Sequence, residues 1–528
     1  MTPGIEARTE WQDLLPLDRK RPEPLYRQLS GRIRDAMLSG RLRPGDRLPS
    51  TRQLSLFLGV HRNTVVAAYR ELEQIGLLRS TVGAGTFVLD QQVSPHTVPA
   101  SGDAVGRPEA EDHRPITWRS LFRDPTRFEL DPRETLAPPG LRVAEDAIQL
   151  TGAVPDSREF PMEAFRIAAT EVLAGDDPNM LEYGPPEGDA SLRAWLAGWL
   201  GESGVADLDP GRIFITSGSQ QGIDLLSKLL LSVRDRVAVE EPTYSGAHLT
   251  LRHAGVRMVG IPLDENGLQT SVLEEACDRD RVRLLYTMPF FQNPTGISLS
   301  AQRRERLLAL ARARALPIVE DHYDTALYYG SERPRPLLAD DPNGRVILLG
   351  TFSKILFPGL RLGWMVVPDP LRDVMRSLRW ATDLSSGMLT QHIMDRFCRS
   401  GQLDRHLDHL RRLYGQRLRA MLAALEEHFP EGVRWTRPTG GMTLWVELPG
   451  RLDAAELLRE AAPRGVLFAP GPAFYPNGGG HSGLRLTFNR ETPERIRTGV
   501  RILGELIRRR MRSPETRSAS PDGAVPLP

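Results

Sequence analysis

From residue 146 to 512, short apolar runs alternate with amphipathic helical stretches; RIFIT, RVAVE, RLLYTMP, LPIVE and RVILLG are the clearest runs. A run of this length without polar alternation reads as a strand covered on both faces, and strands separated by helices pair in parallel. The pattern predicts an α/β domain on a mostly parallel sheet, in which ligands bind beyond the carboxyl ends of the strands.

The rest of the chain is organised differently. Its 528 residues are too many for one ordinary domain. Residues 91–145 are rich in Pro, Asp, Arg and Thr and lose apolar periodicity, which predicts a linker between two domains. Residues 1–20 read as an N-terminal tail and 513–528 as a disordered C-terminal tail. The net charge of +1 hides an Arg-rich segment over 21–90. Cys277 and Cys398 form neither a disulfide framework nor a metal-ligand cluster, so no metal is expected and a reducing cytoplasm fits. No run approaches the ~18 apolar residues of a membrane span, and the first residues lack the pattern of a secretory signal.

Within 21–90, Leu25, Leu29, Ile33 and Met37 recur every four residues and predict a helix that Gly40 stops. Ser50 and Gln53 form a capping-box pattern opening a second helix, which Gly59 ends. A three-residue turn leads to a third helix through NTVVAAYRELEQIG, and LLRSTVGAGTFV reads as two short strands around a glycine turn. Two short helices with a tight turn are the helix-turn-helix pattern, and the hairpin would be a wing. The start of the third helix then offers His61, Arg62, Asn63 and Thr64 to base edges in a major groove. Arg43 and Arg52 are placed for phosphates, and Gly83 and Gly85 let the wing backbone approach DNA closely.

In the larger domain, six patterns follow in order: Tyr183-Gly184-Pro185-Pro186-x-Gly188, Ser217-Gly218-Ser219-Gln220-Gln221, Glu241-Pro242-x-Tyr244, Phe291-Gln292-Asn293-Pro294-Thr295-Gly296, Asp321-x-Tyr323, and Thr351-Phe352-Ser353-Lys354 with Pro358-Gly359-x-Arg361. Arg485 follows in LRLTF. Singly each is weak, since an NPTG is commonly just a turn. Together they supply what pyridoxal 5′-phosphate (PLP) needs. Lys354, after RVILLG, provides an amine for the aldehyde. Asp321, read as ending the strand LPIVE, provides a carboxylate for the pyridine nitrogen. Asn293 and Tyr323 can donate to the ring 3-oxygen, and Tyr244 offers an aromatic face. Main-chain N–H groups of Ser219 and Gln220, with Thr351, Ser353 and Arg361, form a phosphate cradle. Arg485 can hold a carboxylate as a bidentate pair.

The N-terminal segment resembles the DNA-binding domain of the GntR family through Pro24-Leu25-Tyr26, Leu42-x-Pro44-Gly45-Asp46-x-Leu48-Pro49-Ser50, Arg62-Asn63-Thr64-Val65 and Gly83-x-Gly85-Thr86-Phe87-Val88. His61 stands where that family usually has Ser as a helix cap. The larger part resembles fold-type I aminotransferases of the branch handling 2-aminoadipate, kynurenine and aromatic amino acids, through GSQQ, FQNPTG and FSKxxxPGLR. The combination resembles the MocR subfamily of GntR-type regulators. That resemblance implies an α+β winged helix-turn-helix over 21–90, then a fold-type I PLP-binding α/β domain over 146–512 with a smaller C-terminal α+β subdomain. It implies a homodimer in which Tyr183 reaches the phosphate of the partner's cofactor. It also implies a regulator that binds a double-stranded DNA operator and senses an amino acid, a related amine or PLP. Members often read D-Y-D-S-E-F-R-Y after the cofactor aspartate; here Ala326 and Tyr328 replace the Glu and Arg, at the expected effector pocket. Asn293 is kept, so an active aminotransferase with an attached DNA-binding head is the alternative, and a DNA-binding scaffold without ligand is a third reading.

Overall fold

The computed structural model describes residues 11, 14–18, 24–38, 41–43, 45–74, 77–81, 85–88, 141–175, 178–450 and 452–512. The expected C-terminal tail, the linker as far as residue 140, most of the N-terminal tail, Gly40 and Gly83 lie outside them. The chain divides into two units, one within residues 1–116 and one within 117–528.

In the first unit, helices Leu25–Leu38, Thr51–Leu58 and Arg62–Gln74 pack around Leu29, Ile33, Leu54, Val65, Ala68 and Leu72, all buried. The predicted stripe holds: Leu29 and Ile33 are fully covered, while Leu25 and Met37 flank them half-buried. Ser50 caps the second helix in a full capping box with Gln53, and Gly59 ends it in the left-handed conformation, φ 64°. The Tyr69 hydroxyl donates to the Pro49 carbonyl at 2.8 Å, tying the third helix to the start of the second. The hairpin Leu78–Thr81 and Gly85–Val88 forms as expected and gains a third antiparallel strand, Arg47–Leu48, on its far side. A two-residue strand inside a proline-containing connector carries no periodicity to read.

The second unit holds two sheets. The larger runs in the order Ile213–Thr216, Gly363–Val366, Val346–Thr351, Ile318–His322, Leu284–Thr287, Arg236–Glu241, Arg257–Asp264 and Gly267–Leu268. The five strands from Val346–Thr351 to Arg257–Asp264 are parallel; Gly363–Val366 is antiparallel to both neighbours. Alternate residues feed two cores. Ala238, Leu285, Ile318, Val346 and Leu348 pack with helices Ala190–Gly201, Thr270–Asp280 and Ala301–Arg314. Val237, Val239, Tyr286, Val319, Ile347 and Leu349 pack with helices Ser219–Leu230 and Ser245–Ala254. Burial on both faces is why these runs lack polar alternation.

The smaller sheet runs Arg434–Trp435, Thr443–Glu447, Gly483–Thr487, Val466–Pro470 and Ile148–Leu150. The expected C-terminal subdomain is therefore completed by a strand from the other end of the domain, paired in parallel with Val466–Pro470. Among the described residues no helix is long and apolar enough to cross a membrane.

Replacing Ser50 by Ala removes one side of the capping box and is expected to cost about 1 kcal/mol locally. Hydrogen exchange would read this as about fivefold faster exchange across Thr51–Leu58; unchanged protection would mean that the cap is idle.

Candidate functional site

Strand Ile318–His322 carries Asp321 into a wholly buried position, one residue before its end rather than at it. Its Oδ2 accepts from the Tyr286 hydroxyl at 2.7 Å, while Oδ1 has no hydrogen-bond partner. Burial pushes its carboxyl up to about 6, against the opposing pull of the Tyr286 hydroxyl, His322 and Lys354. A buried acceptor left unpaired is costly, and a protonated pyridine nitrogen is the donor that would complete it. Tyr286 escaped the sequence reading because it looks like one more apolar residue in RLLYTMP.

Lys354 follows strand Val346–Thr351, as expected. Thr351 Oγ1 accepts from the Ser353 amide at 3.1 Å and donates to the Leu362 carbonyl at 3.3 Å, fixing the turn. Burial brings the Lys354 ammonium down to about 8; Arg485 and Arg361 add to the shift, and Asp324 and Asp321 oppose it. Asp324, fully buried, was not singled out from sequence.

Helix Ser219–Leu230 starts at Gly218, φ 91°, with no side-chain cap. The Arg361 guanidinium donates to the Ser217 carbonyl at 2.7 Å, beside that helix start. Ser353 Oγ is buried without a partner. The Gln220 side chain is committed to the Gly246 carbonyl at 2.8 Å and to the Thr250 hydroxyl, so its main-chain N–H is what remains for an anion. The Tyr244 hydroxyl lies 3.5 Å from Gln220 Oε1, which places that ring beside the same helix start. Unfilled N–H groups, a free hydroxyl and a guanidinium fit a phosphate.

Arg485 lies within strand Gly483–Thr487 of the smaller sheet. Buried, it donates to Asn293 Oδ1 at 2.8 Å and to the Thr151 carbonyl, and its Nε has no partner. Its guanidinium lies 4.8 Å from the centre of the Phe474 ring, and burial lowers it to about 10. With Oδ1 so engaged, the Asn293 amide nitrogen is left to donate. The Tyr323 hydroxyl, expected to donate to a ring oxygen, donates here to the Phe291 carbonyl at 2.7 Å, because that carbonyl would otherwise be a buried orphan. Tyr183 is 82% exposed. At the divergent positions, the Ala326 carbonyl accepts from Arg411 Nε at 2.9 Å, and the Arg411 guanidinium lies 4.3 Å from the centre of the Tyr328 ring.

In the first unit, His61, Arg62 and Asn63 are exposed and Thr64 half-buried at the start of helix Arg62–Gln74. His61 caps after all: its Nδ1 accepts from the Asn63 amide at 3.3 Å. Arg62 Nε donates to Thr51 Oγ1 at 3.4 Å, linking the third helix to the second. Arg43 and Arg52 are exposed. Gly85 has φ 113°, and a Cβ there would meet the Arg47 guanidinium at 2.7 Å. Arg47, exposed on the added strand, is a further cation at the wing that the sequence reading did not single out.

Two family profiles match the chain. "Aminotransferase class I and II" covers residues 149–503, and "Bacterial regulatory proteins, gntR family" covers 25–88. Aromatic-amino-acid aminotransferase 1 of Thermococcus litoralis is 37% identical over 70% of this chain and 89% of its own. The probable rhizopine catabolism regulatory protein MocR of Rhizobium meliloti is 31% identical over 93% of this chain and 95% of its own. Among solved structures, α-aminoadipate aminotransferase LysN of Thermus thermophilus, complexed with N-(5′-phosphopyridoxyl)-L-leucine, superposes with a TM-score of 0.68 at 36% identity, covering 74% of this chain and 98% of that one.

The Lys354 amine, free near pH 8, gives a pH test. Rebinding of PLP to apoprotein, which needs the unprotonated amine, is expected to accelerate as pH rises through about 8. Arg485→Leu removes one cause of the lowering and should move the midpoint upward. A wild-type midpoint near the ordinary 10.5 would contradict this geometry.

Proposed function

Because the chain belongs to the aminotransferase class I and II family and joins that domain to a GntR-family head as MocR-type regulators do, we propose that it is a PLP-dependent transcription regulator, acting on DNA in the cytoplasm as a homodimer. What carries the reading is that one chain keeps both a complete helix-turn-helix face and an unspent set of cofactor-facing groups: Asp321 Oδ1, Ser353 Oγ and the uncapped helix start at Gly218.

PLP, when bound, supplies an aldehyde that condenses with amines and a protonated ring that withdraws electrons. Asp321 would keep that ring protonated, with Tyr286 orienting the carboxylate. Lys354 would hold the aldehyde through its side-chain amine. Ser219, Gln220, Thr351, Ser353 and Arg361 would hold the phosphate, and Tyr244 would offer its aromatic face to the ring. Asn293 positions Arg485 through the 2.8 Å hydrogen bond, and Arg485 binds the ligand's carboxylate. The effector is therefore an amine that also carries a carboxylate. The exposed Tyr183 is free to reach the partner's cofactor phosphate. In the head, Arg62, Asn63, Thr64 and His61 read bases, while Arg43, Arg52 and the backbone at Gly85 contact the DNA backbone. Two heads in a dimer read two half-sites.

Asn293 and Asp321 favour a second reading, in which the same site transaminates its ligand. A sensor has to retain its ligand to bias two arrangements of the protein, so slow or absent turnover is expected.

Two variants separate the parts. Lys354→Ala should abolish covalent fixation of PLP by borohydride, read by mass spectrometry; trapping equal to wild type would remove Lys354 from its role. Arg62→Ala should weaken specific operator binding by about 1–3 kcal/mol while PLP absorbance is unchanged. Operator affinity equal to wild type would mean that Arg62 reads no base.

A further inference from the structure

A cleft of about 880 Å³ opens between the ends of strands Arg236–Glu241 and Arg257–Asp264 and the smaller sheet, and none of the cofactor-facing residues lines it. Its walls carry three carboxylates, Glu241, Glu265 and Glu447, and the rings of Trp445 and Tyr475, whose centres are 6.5 Å apart at 41°. After burial, the charges of Glu447 and then Glu241 are what push the Tyr475 hydroxyl up to about 12, so both carboxylates converge on this ring.

Each of these two is held by neutral donors. Glu447 accepts from Trp445 Nε1 at 3.1 Å and from the Ser482 hydroxyl at 2.5 Å; Glu241 accepts from Asn477 Nδ2 at 3.2 Å. Gly260 makes room for Glu241, since a Cβ there would lie 2.5 Å from the carboxyl carbon. Among the described residues no Lys, Arg or His forms an ion pair with either acid. Of the two arginines that line the cleft, Arg437 is paired with Glu426 at 2.8 Å, and Arg434, exposed, stands across from Glu447 on the neighbouring strand without an ion pair to it. Two oriented carboxylates beside two aromatic faces make a site that attracts positive charge.

We propose that this cleft is a second ligand site, which takes an organic cation by seating an alkylammonium group between Glu241 and Glu447 against Trp445 and Tyr475. It goes beyond the amino-acid site and differs from it in chemistry, since it asks for no carboxylate on the ligand. Its walls also touch the machinery of that site. Thr295 and Gly296, in the loop that carries Asn293, line the cleft, and the Thr295 carbonyl accepts from the Thr436 hydroxyl at 2.6 Å. Trp445 lies directly across the sheet from Arg485. A cation seated here is thus one side chain away from the carboxylate-binding arginine.

Tetramethylammonium is the probe, because it cannot condense with the cofactor. Holoprotein is titrated by saturation-transfer NMR, with neutral tert-butanol as the control. Saturable binding is expected, with tert-butanol at least about tenfold weaker. Glu241→Gln and, separately, Tyr475→Leu should each weaken tetramethylammonium about tenfold while PLP absorbance stays that of wild type. If Glu241→Gln loses the absorbance, Tyr475→Leu and Glu447→Gln decide. No saturable binding, tert-butanol binding as tightly, or folded variants that bind tetramethylammonium like wild type would each overturn the proposal.

Discussion

A carboxylate fully buried at the end of a sheet that is apolar on both faces has one hydrogen-bonded oxygen and one left bare: Asp321, held by Tyr286. Much of the site depends on that arrangement. Desolvation raises Asp321 and lowers Lys354 and Arg485, and the charges of Arg485 and Asp321 act on Lys354 in opposite directions. Such a cluster is tolerated because the surrounding sheet is over-determined, with alternate strand residues locked into two separate cores. A cationic ring nitrogen seated there would give the bare Oδ1 the donor it lacks.

Much of this was legible in the sequence because cofactor chemistry demands particular residue types at strand ends and helix starts. Lys354, Asp321, Asn293 and the Gly218 helix start came from such demands, and the capping box at Ser50 and Gln53 from local hydrogen-bond arithmetic. What stayed hidden depends on register between distant segments. Tyr286 meets Asp321 only because strands Leu284–Thr287 and Ile318–His322 are neighbours. Thr151 meets Arg485 only because the chain around Ile148–Leu150 joins a sheet otherwise made of C-terminal strands. The His61 cap depends on a ring nitrogen turning toward the Asn63 amide, which residue type alone argues against.

The head and the larger domain carry opposite demands. The head presents exposed arginines whose contacts with DNA are salt-dependent and in part independent of sequence. The larger domain hides its charges and reads a small molecule by desolvated hydrogen bonds. Joining them in one chain makes sense if ligand and operator are thermodynamically linked, and linkage is reciprocal: a ligand that changes operator affinity by some factor has its own affinity changed by the same factor.

The direct test is one titration of the full-length holoprotein with amino acids, following cofactor absorbance and operator binding in the same sample. The account predicts an amino acid whose absorbance change and operator-affinity change share a midpoint, with little keto acid released over the course of the titration. Rapid release of keto acid with operator affinity unmoved would contradict it and make the chain an aminotransferase that happens to carry a DNA-binding head.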